Sequence, residues 1–190
     1  MKTIKYLISF VMLGVVIILL FYIIQPLKNP FTKYNFSNVK ISYETIEKRS
    51  CFILSFQSDD LEKVIKKTNS CEYISFYCPI NIDINKFKKQ SISGKYDSIG
   101  KYLSATYNLN NTISSKKHLL KNGLFEYKLE LILEPNGYLN SNDTLRSVLH
   151  KIKKGRQSME FYGFITHNPL ESMYKAAWSR PIIVEEINHE

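Results

Sequence analysis

Residues 125–134 read FEYKLELILE and show the most regular alternation of apolar and charged side chains in the chain. The apolar positions are Phe125, Tyr127, Leu129, Leu131 and Leu133. Successive side chains of a β-strand point to opposite sides of the sheet. The pattern therefore predicts a strand with one face in the core and one face in solvent. Pro135–Asn136–Gly137, which follows, predicts a turn.

Upstream of this strand, the sequence predicts a strand, a short helix and a second strand. Residues 39–56 are rich in Ile, Tyr, Phe and Thr but contain a polar interruption, which indicates one broken strand or a hairpin. Ser58 is a good helix cap, and the amphipathic helix that it opens is predicted to end at Asn69. Alternation returns at 73–78 and resumes over 80–84, which predicts the second strand.

The remaining segments complete a mixed domain. The other predicted elements are a helix at 97–107, a loop at 108–122, a helix at 143–154, a strand at 159–165, a helix that begins at Asn168–Pro169 and a strand at 182–187. Together they predict one α+β domain over residues 39–190 with about five strands and four helices. We expect the helices to cover one face of the sheet.

The N-terminal region contains one long apolar stretch. Residues 6–24 read YLISFVMLGVVIILLFYII, nineteen residues without a charge. A helix of that length spans ~28 Å, which matches the hydrocarbon core of a bilayer. The stretch is longer than the apolar region of a cleavable signal peptide, and no small-residue cleavage site follows it. We therefore expect a tail at 1–5, an uncleaved transmembrane signal-anchor at 6–24 and a juxtamembrane linker at 25–38.

The side of the membrane on which the domain lies is less strongly specified. Lys and Arg residues are nearly balanced on the two sides of the apolar stretch, so the positive-inside rule gives little information. A short tail before an apolar span is typical of a signal-anchor that exports the downstream domain. The abundance of Lys, Asn and Ile is typical of an AT-rich bacterial genome. We therefore expect a single-pass protein of the bacterial inner membrane with an exported domain.

The chain is basic, with 26 Lys and Arg residues against 17 Asp and Glu residues and a net charge of +9. The outward faces of two predicted helices form a candidate surface for an anionic partner. Its residues are Lys63, Lys66, Lys67, Arg146, Lys151, Lys153, Lys154 and Arg156. Ordinary solvated helix faces are the alternative interpretation. Nucleic acid is not expected as the partner of a membrane-anchored domain.

Three cysteines are too few for a disulfide scaffold. Cys71 and Cys78 lie in one extended stretch, ~23 Å apart, which is too far for a disulfide. Cys51 belongs to the preceding strand and could meet either of them across a sheet. In an exported domain Cys51 could therefore form a disulfide with either Cys71 or Cys78, which would leave one thiol free. We favour the other interpretation, that all three are small buried side chains.

No catalytic, cofactor-binding or metal-binding motif is recognisable in the sequence. We therefore favour a binding module rather than an enzyme. The exported domain is expected to bind another envelope protein, as an accessory subunit of a secretion or assembly complex or as an anchored inhibitor or immunity-type protein. Two alternatives stay open. One is an anchored enzyme that acts on envelope material through a site built from dispersed residues. The other is a cytoplasm-facing domain that binds anionic lipid or another ligand.

Overall fold

The structure is a computed structural model that describes residues 2–24, 29–46, 49–68, 72–80, 82–92, 100–110, 115–135, 141–155, 158–170 and 173–188. The helices are α1 (Lys2–Ile24), α2 (Glu62–Thr68), α3 (Ile84–Ile92) and α4 (Asn142–Lys154), with a short 3₁₀-helix at Pro30–Lys33. The strands are β1 (Ser37–Ile46), β2 (Arg49–Ser58), β3 (Tyr73–Pro79), β4 (Tyr102–Asn108), β5 (Ser115–Leu119), β6 (Phe125–Glu134), β7 (Glu160–Leu170), β8 (Met173–Trp178), β9 (Ile182–Ile183) and β10 (Glu186–Ile187).

The domain is mostly β, so the predicted α+β fold of about five strands is wrong. In the described part of the chain, ten strands form one curled, half-barrel sheet. Eight of them lie in the order β10-β1-β2-β6-β4-β3-β7-β8. β5 pairs with β6 and β9 pairs with β7 beside this path. Most of the extra strands lie in segments whose local pattern suggests a helix or a loop. Pairing with distant strands, rather than local propensity, decides their conformation.

Strand β6 lies at the centre of the sheet and has the bounds that its alternation predicts. Its first half pairs with β2 on one side and with β5 on the other, so that Tyr127 is opposite both Phe56 and Lys117. Its second half pairs with β4, where Leu133 is opposite Leu103. The hairpin that 39–56 indicated is also confirmed, because β1 and β2 pair antiparallel along nearly their whole length.

The C-terminal segment joins the two edges of the curled sheet. Val184 N donates to Met159 O at 2.9 Å, next to the start of β7, and Glu185 N donates to Val39 O of β1 at 2.8 Å. The segment therefore lies between β7 and β1 and is hydrogen-bonded to both. The strand predicted at 182–187 is confirmed in the form of two short pairings, β9 with β7 and β10 with β1.

The hydrophobic core fills the inside of the curl. Its fully buried side chains include Phe52, Phe56, Phe76, Tyr127 and Phe161. Burial of one such ring stabilises the fold by roughly 1.5–3 kcal/mol.

Gly163 of β7 allows the 3₁₀-helix to pack closely against this core. A Cβ atom at Gly163 would lie 3.3 Å from a ring carbon of Phe31 and 3.3 Å from a ring carbon of Phe76. The absence of a side chain at this position therefore brings the Phe31 ring against the strand.

Helices α2 and α4 close opposite ends of the curl. At the start of α2, Leu61 N donates to the hydroxyl of Tyr127 at 2.8 Å. At the start of α4, the side-chain amide of Asn142 donates to Ser50 O at 2.7 Å. Tyr127 pairs with Phe56, which is about 20 Å along β2 from Ser50. The prediction that the helices cover one face of the sheet is therefore wrong.

The helix predicted at 97–107 is replaced by strand β4. Leu103, Ala105 and Tyr107 alternate into the core, and the whole strand pairs with β3. The apolar positions in this segment fit a helical period and a period of two equally well over so short a length. Its partners on both sides of the sheet select the strand.

The helix predicted to begin at Asn168–Pro169 is also replaced by strands. β7 continues to Leu170, and β8 folds back on it with Phe164 opposite Trp178. The local capping signal is therefore overridden by a hairpin. Two more elements differ from the sequence-based expectation, because α3 begins at Ile84, where alternation predicted a strand, and β5 lies within the predicted loop.

Helix α1 contains the apolar stretch for which a membrane span was predicted. Nearly all of its side chains over residues 10–20 are exposed. Among the residues that the structure describes, no helix is long and apolar enough to cross a membrane. This finding contradicts the prediction of a single-pass transmembrane signal-anchor at 6–24.

A partly buried ion cluster fixes the start of α2 against β5. The ammonium of Lys117 lies 2.6 Å from Asp60 Oδ1, 2.8 Å from Glu62 Oε1 and 4.2 Å from the centre of the Phe125 ring. The three charged side chains are only 19–29% exposed, so water screens them incompletely. The hydrogen bond from Lys117 lowers the pKa of Glu62. Burial opposes ionisation of Asp60, but Lys117 and the backbone N–H of Glu62 still lower its pKa.

Replacement of Lys117 by Met leaves two neighbouring carboxylates without their shared cation. We expect this substitution to lower the free energy of unfolding by about 1–3 kcal/mol. Lys66→Met is the matched control, because Lys66 also contacts Glu62, at 3.5 Å, but its side chain is 70% exposed. The control should change the free energy of unfolding by less than ~0.5 kcal/mol. Urea unfolding followed by the fluorescence of Trp178 measures both values.

The effect of Lys117→Met should also depend on pH. Because folding lowers the pKa of Asp60 and Glu62, their ionised forms stabilise the fold above the unfolded pKa of ~4. That stabilisation is lost as the pH falls through the lower folded pKa. The difference between wild type and Lys117→Met should therefore be largest near neutral pH and shrink at pH 3. A difference that stays constant over this range would contradict the account.

A candidate binding cleft beside helix α4

A cleft of about 690 Å³ lies between the C-terminal half of α4, the start of β7 and the segment that follows β3. Its apolar lining comes from Ile80, Ile82, Val148, Ile152 and Met159. Its polar and charged lining comes from Asp83, Lys101, Lys151, Glu160 and Tyr162. The volume lies within the range of known ligand sites, which also combine apolar side chains with polar groups.

Local sequence signals shape two walls of the cleft. On the β3 side, Ile80 N donates to Lys101 O at 3.0 Å, and Asp83 caps α3 by accepting from the backbone N–H of Asn85 at 2.9 Å. On the other side, α4 ends at Gly155, whose N–H donates to Lys151 O at 2.9 Å. The segment after β3 and the end of α4 therefore form two walls of the cleft.

Two titratable groups in the cleft are held in their neutral forms. Burial, aided by the charge of Glu160, raises the pKa of the Cys78 thiol to about 12. The Tyr162 hydroxyl donates to Glu160 Oε2 at 2.6 Å, and burial together with this hydrogen bond raises the pKa of Tyr162 well above its ordinary value. A nucleophilic cysteine needs a lowered pKa. This cleft therefore suits binding better than covalent catalysis.

Two lysines and two carboxylates line the cleft, so it offers charges of both signs to a ligand. Asp83 accepts hydrogen bonds from the N-terminal backbone of α3, and Glu160 accepts one from Tyr162. Lys101 and Lys151 are exposed at the rim, and within the described part of the chain neither takes part in an ion pair. An acidic group of a ligand would therefore meet two lysines beside an apolar floor.

An aromatic cluster on the outer side of the sheet supports the wall that contains Tyr162. The ammonium of Lys88 in α3 lies 4.8 Å from the centre of the Tyr162 ring and 5.5 Å from that of Trp178. Burial lowers the pKa of Lys88. Phe87, one residue earlier, packs against Tyr102 with ring centres 5.2 Å apart. These cation–π and aromatic contacts hold α3 against β4, β7 and β8.

The structure divides the surface predicted to bind an anionic partner. Lys63 and Lys66 are exposed at the end of the curl that α2 closes. The α4 members lie at the opposite end, and they are Arg146, Lys151, Lys153 and Lys154. Arg156 and the side chain of Lys67 lie outside the described residues. Of the described members of the predicted set, only Lys151 lines the cleft.

The basic side chains of α4 point to two flanks of the helix. Residues seven apart lie on one side of an α-helix, which places Arg146 and Lys153 together. Arg146 lies over the Tyr43 ring, with 4.8 Å to its centre, and Lys153 donates to Ile187 O at 3.1 Å. This flank faces β1 and β10, whereas Lys151 is on the cleft side.

The predicted disulfide between Cys51 and Cys78 is not formed. Both side chains are buried, and Cys78 is a free thiol. Cys51 lies in β2 and Cys78 in β3, and β6 and β4 separate these strands. Three strand spacings amount to ~14 Å, whereas a disulfide needs Cα atoms ~6 Å apart. Cys71 lies outside the described residues, so its pairing with Cys51 stays a prediction.

The cleft has no signature in the sequence. Lys101, Lys151, Glu160 and Tyr162 come from three distant segments, which the strand order brings together. No group of three or more His, Cys, Asp or Glu side chains in the described ranges could hold a metal ion. Comparison of the chain with protein families, with curated proteins and with solved structures gave no match.

The neutral state of Cys78 can be tested by alkylation. Because burial raises its pKa and restricts access, Cys78 should react with iodoacetamide at pH 8 at least ~100-fold more slowly in the folded protein than in urea. Mass spectrometry of the peptide that contains Cys78 gives both rates. Reaction at the rate of the unfolded chain would show an exposed or ionised thiol and would contradict the described cleft.

Proposed function

We propose that the β domain is a protein-binding module whose cleft receives an apolar side chain of a partner, with an acidic group of that partner beside it. The juxtaposition of an apolar floor with Lys101 and Lys151 at the rim supports this proposal. The floor supplies hydrophobic burial, whereas the lysines supply orientation and an attraction that depends on salt.

The other functions considered from the sequence have weaker support. Covalent catalysis in the cleft would need an activated nucleophile, whereas burial keeps Cys78 protonated and Tyr162 is hydrogen-bonded to Glu160. A domain that lies flat on anionic lipid would need its basic helix faces on one side. The lysines of α2 and those of α4 are instead at opposite ends of the curl.

Site-specific photo-crosslinking tests the proposal in cells. A photoreactive amino acid replaces Ser158, which is exposed and lines the cleft, in the full chain. The control replaces Lys66, which is exposed at the far end. We expect a discrete protein adduct from Ser158 and not from Lys66. The double variant Lys101→Glu and Lys151→Glu should weaken this adduct by on the order of tenfold. Equal adducts at both positions, or none at Ser158, would contradict the proposal.

The location of the partner is a separate question. We propose that it is an envelope protein outside the cytoplasm, as the sequence analysis predicts. A reporter enzyme that is active only outside the cytoplasm, fused after Glu190, should then be active. A stable but inactive fusion would argue for a cytoplasmic partner and leave the proposed use of the cleft unchanged.

A further inference from the structure

The outer edge of β1 is longer than the strand that covers it. β10 pairs in parallel with β1 at two positions, Lys40 with Glu186 and Ile41 with Ile187. β1 itself continues to Ile46 and pairs with β2 on its inner side over that whole length. Beyond Ile41, no strand in the described part of the chain pairs with the outer edge.

The hydrogen bonds of the C-terminal segment show which backbone groups of β1 point to this edge. Glu185 N donates to Val39 O at 2.8 Å, and Asn188 N donates to Ile41 O at 2.7 Å. Alternate residues of a strand direct their backbone N–H and C=O groups to the same side. Tyr43 therefore presents its backbone groups along the same line.

Thr45 follows by the same alternation. Its backbone N–H and C=O point to the outer edge, whereas those of Glu44 point to β2. The two residues together offer a run of donors and acceptors that continues the pairing of β10 without a break.

The strand that the chain itself places on this edge is acidic. Glu186 forms an ion pair with Lys40 at 2.7 Å, and Glu185 accepts a long hydrogen bond from Val39 N at 3.5 Å. The basic flank of α4 borders the same edge, because Arg146 lies over Tyr43 and Lys153 donates to Ile187 O. Arg146 also forms an ion pair with Asp143, but at 3.9 Å and with the Asp143 side chain 89% exposed. This contact is weak, so the two cations still flank the edge from Ile187 to Tyr43.

We propose that an extended, acidic segment of a partner protein adds as a strand to β1 at Tyr43–Thr45, end to end with β10. Backbone hydrogen bonds to the two outward-facing residues would hold the segment, as in other strand-addition complexes. Arg146 and Lys153 would select acidic side chains on the side of the added strand that faces α4. This surface is on the opposite flank of α4 from the cleft and does not depend on the cleft for its function.

The defined probe is an eight-residue peptide that alternates valine and glutamate, with a fluorescent label. We expect it to bind the full-length protein with a Kd below about 1 mM and to bind more weakly as salt is added. A peptide that alternates valine and lysine should not bind. Absence of binding by the acidic peptide, or equal binding by the basic one, overturns the proposal.

A proline substitution tests the strand geometry. Thr45→Pro removes the outward N–H, and the β1–β2 pairing is retained because that N–H does not point to β2. Thr45→Val keeps the N–H and is the matched control for the lost hydroxyl, which contacts Ser50 Oγ at 3.1 Å. Thr45→Pro should weaken binding of the acidic peptide at least about tenfold relative to Thr45→Val. Equal affinities overturn the proposal.

Charge reversal and sedimentation complete the test. The double variant Arg146→Glu and Lys153→Glu keeps the edge but should reverse the preference, so that the lysine peptide binds better than the glutamate peptide. An unchanged preference overturns the assigned partner chemistry.

If the wild type sediments as a dimer that Thr45→Pro makes monomeric, the occupant is a second copy of the chain and the proposal is overturned. Loss of adducts at Ser158 without a change in peptide binding would remove the proposed function alone.

Discussion

Two backbone hydrogen bonds from the C-terminal segment hold the curled sheet in its shape. Val184 N reaches Met159 O beside β7, and the next residue, Glu185, reaches Val39 O of β1. Consecutive residues of an extended chain point to opposite sides, so a single strand can bond to two neighbours at once. The two edges of the sheet would otherwise expose backbone groups and the core residues behind them.

The position of α4 follows from the same segment. Lys153 donates to Ile187 O, and the side-chain amide of Asn142 donates to Ser50 O, so both ends of the helix are fixed to the closed sheet. One apolar face of α4 packs on the core, and the helix has a flank on each side of that face. One flank borders the cleft, of which Met159 forms a wall, and the other borders the outer edge of β1. Both proposed binding surfaces are therefore consequences of how the last strand closes the sheet.

The sequence predicts correctly those elements whose own pattern of apolar residues specifies a helix or a strand. It fails for segments whose conformation depends on pairing with strands that are distant in the sequence. Strand β6 alternates over ten residues, so period two is unambiguous, and its bounds are correct. α4 has a capping serine, a clear apolar face and a terminal glycine, and its bounds also agree with the prediction. β4 is short, and its buried residues Leu103 and Tyr107 are four apart, a spacing that a helix also satisfies. Only its pairing with β3 resolves the ambiguity.

The candidate site is hidden from sequence analysis for the same reason. Lys151 belonged to the predicted basic surface, but Lys101 and Glu160 carried no signal, because they reach the cleft through strand order alone. A disulfide between Cys51 and Cys78 is not formed because two other strands lie between β2 and β3, although the cysteine-bearing strands follow one another in the sequence.

Hydrogen exchange of the backbone amides of Val184 and Glu185, measured by NMR, tests the closed sheet most directly. Both N–H groups donate backbone hydrogen bonds in the described structure. The residues around them are largely exposed, so burial alone would not slow the exchange of these two amides. We expect these two amides to exchange at least ~100-fold more slowly than in an unstructured peptide of the same sequence. Exchange at the rate of the unstructured peptide would leave the edges of β1 and β7 open and would contradict the account.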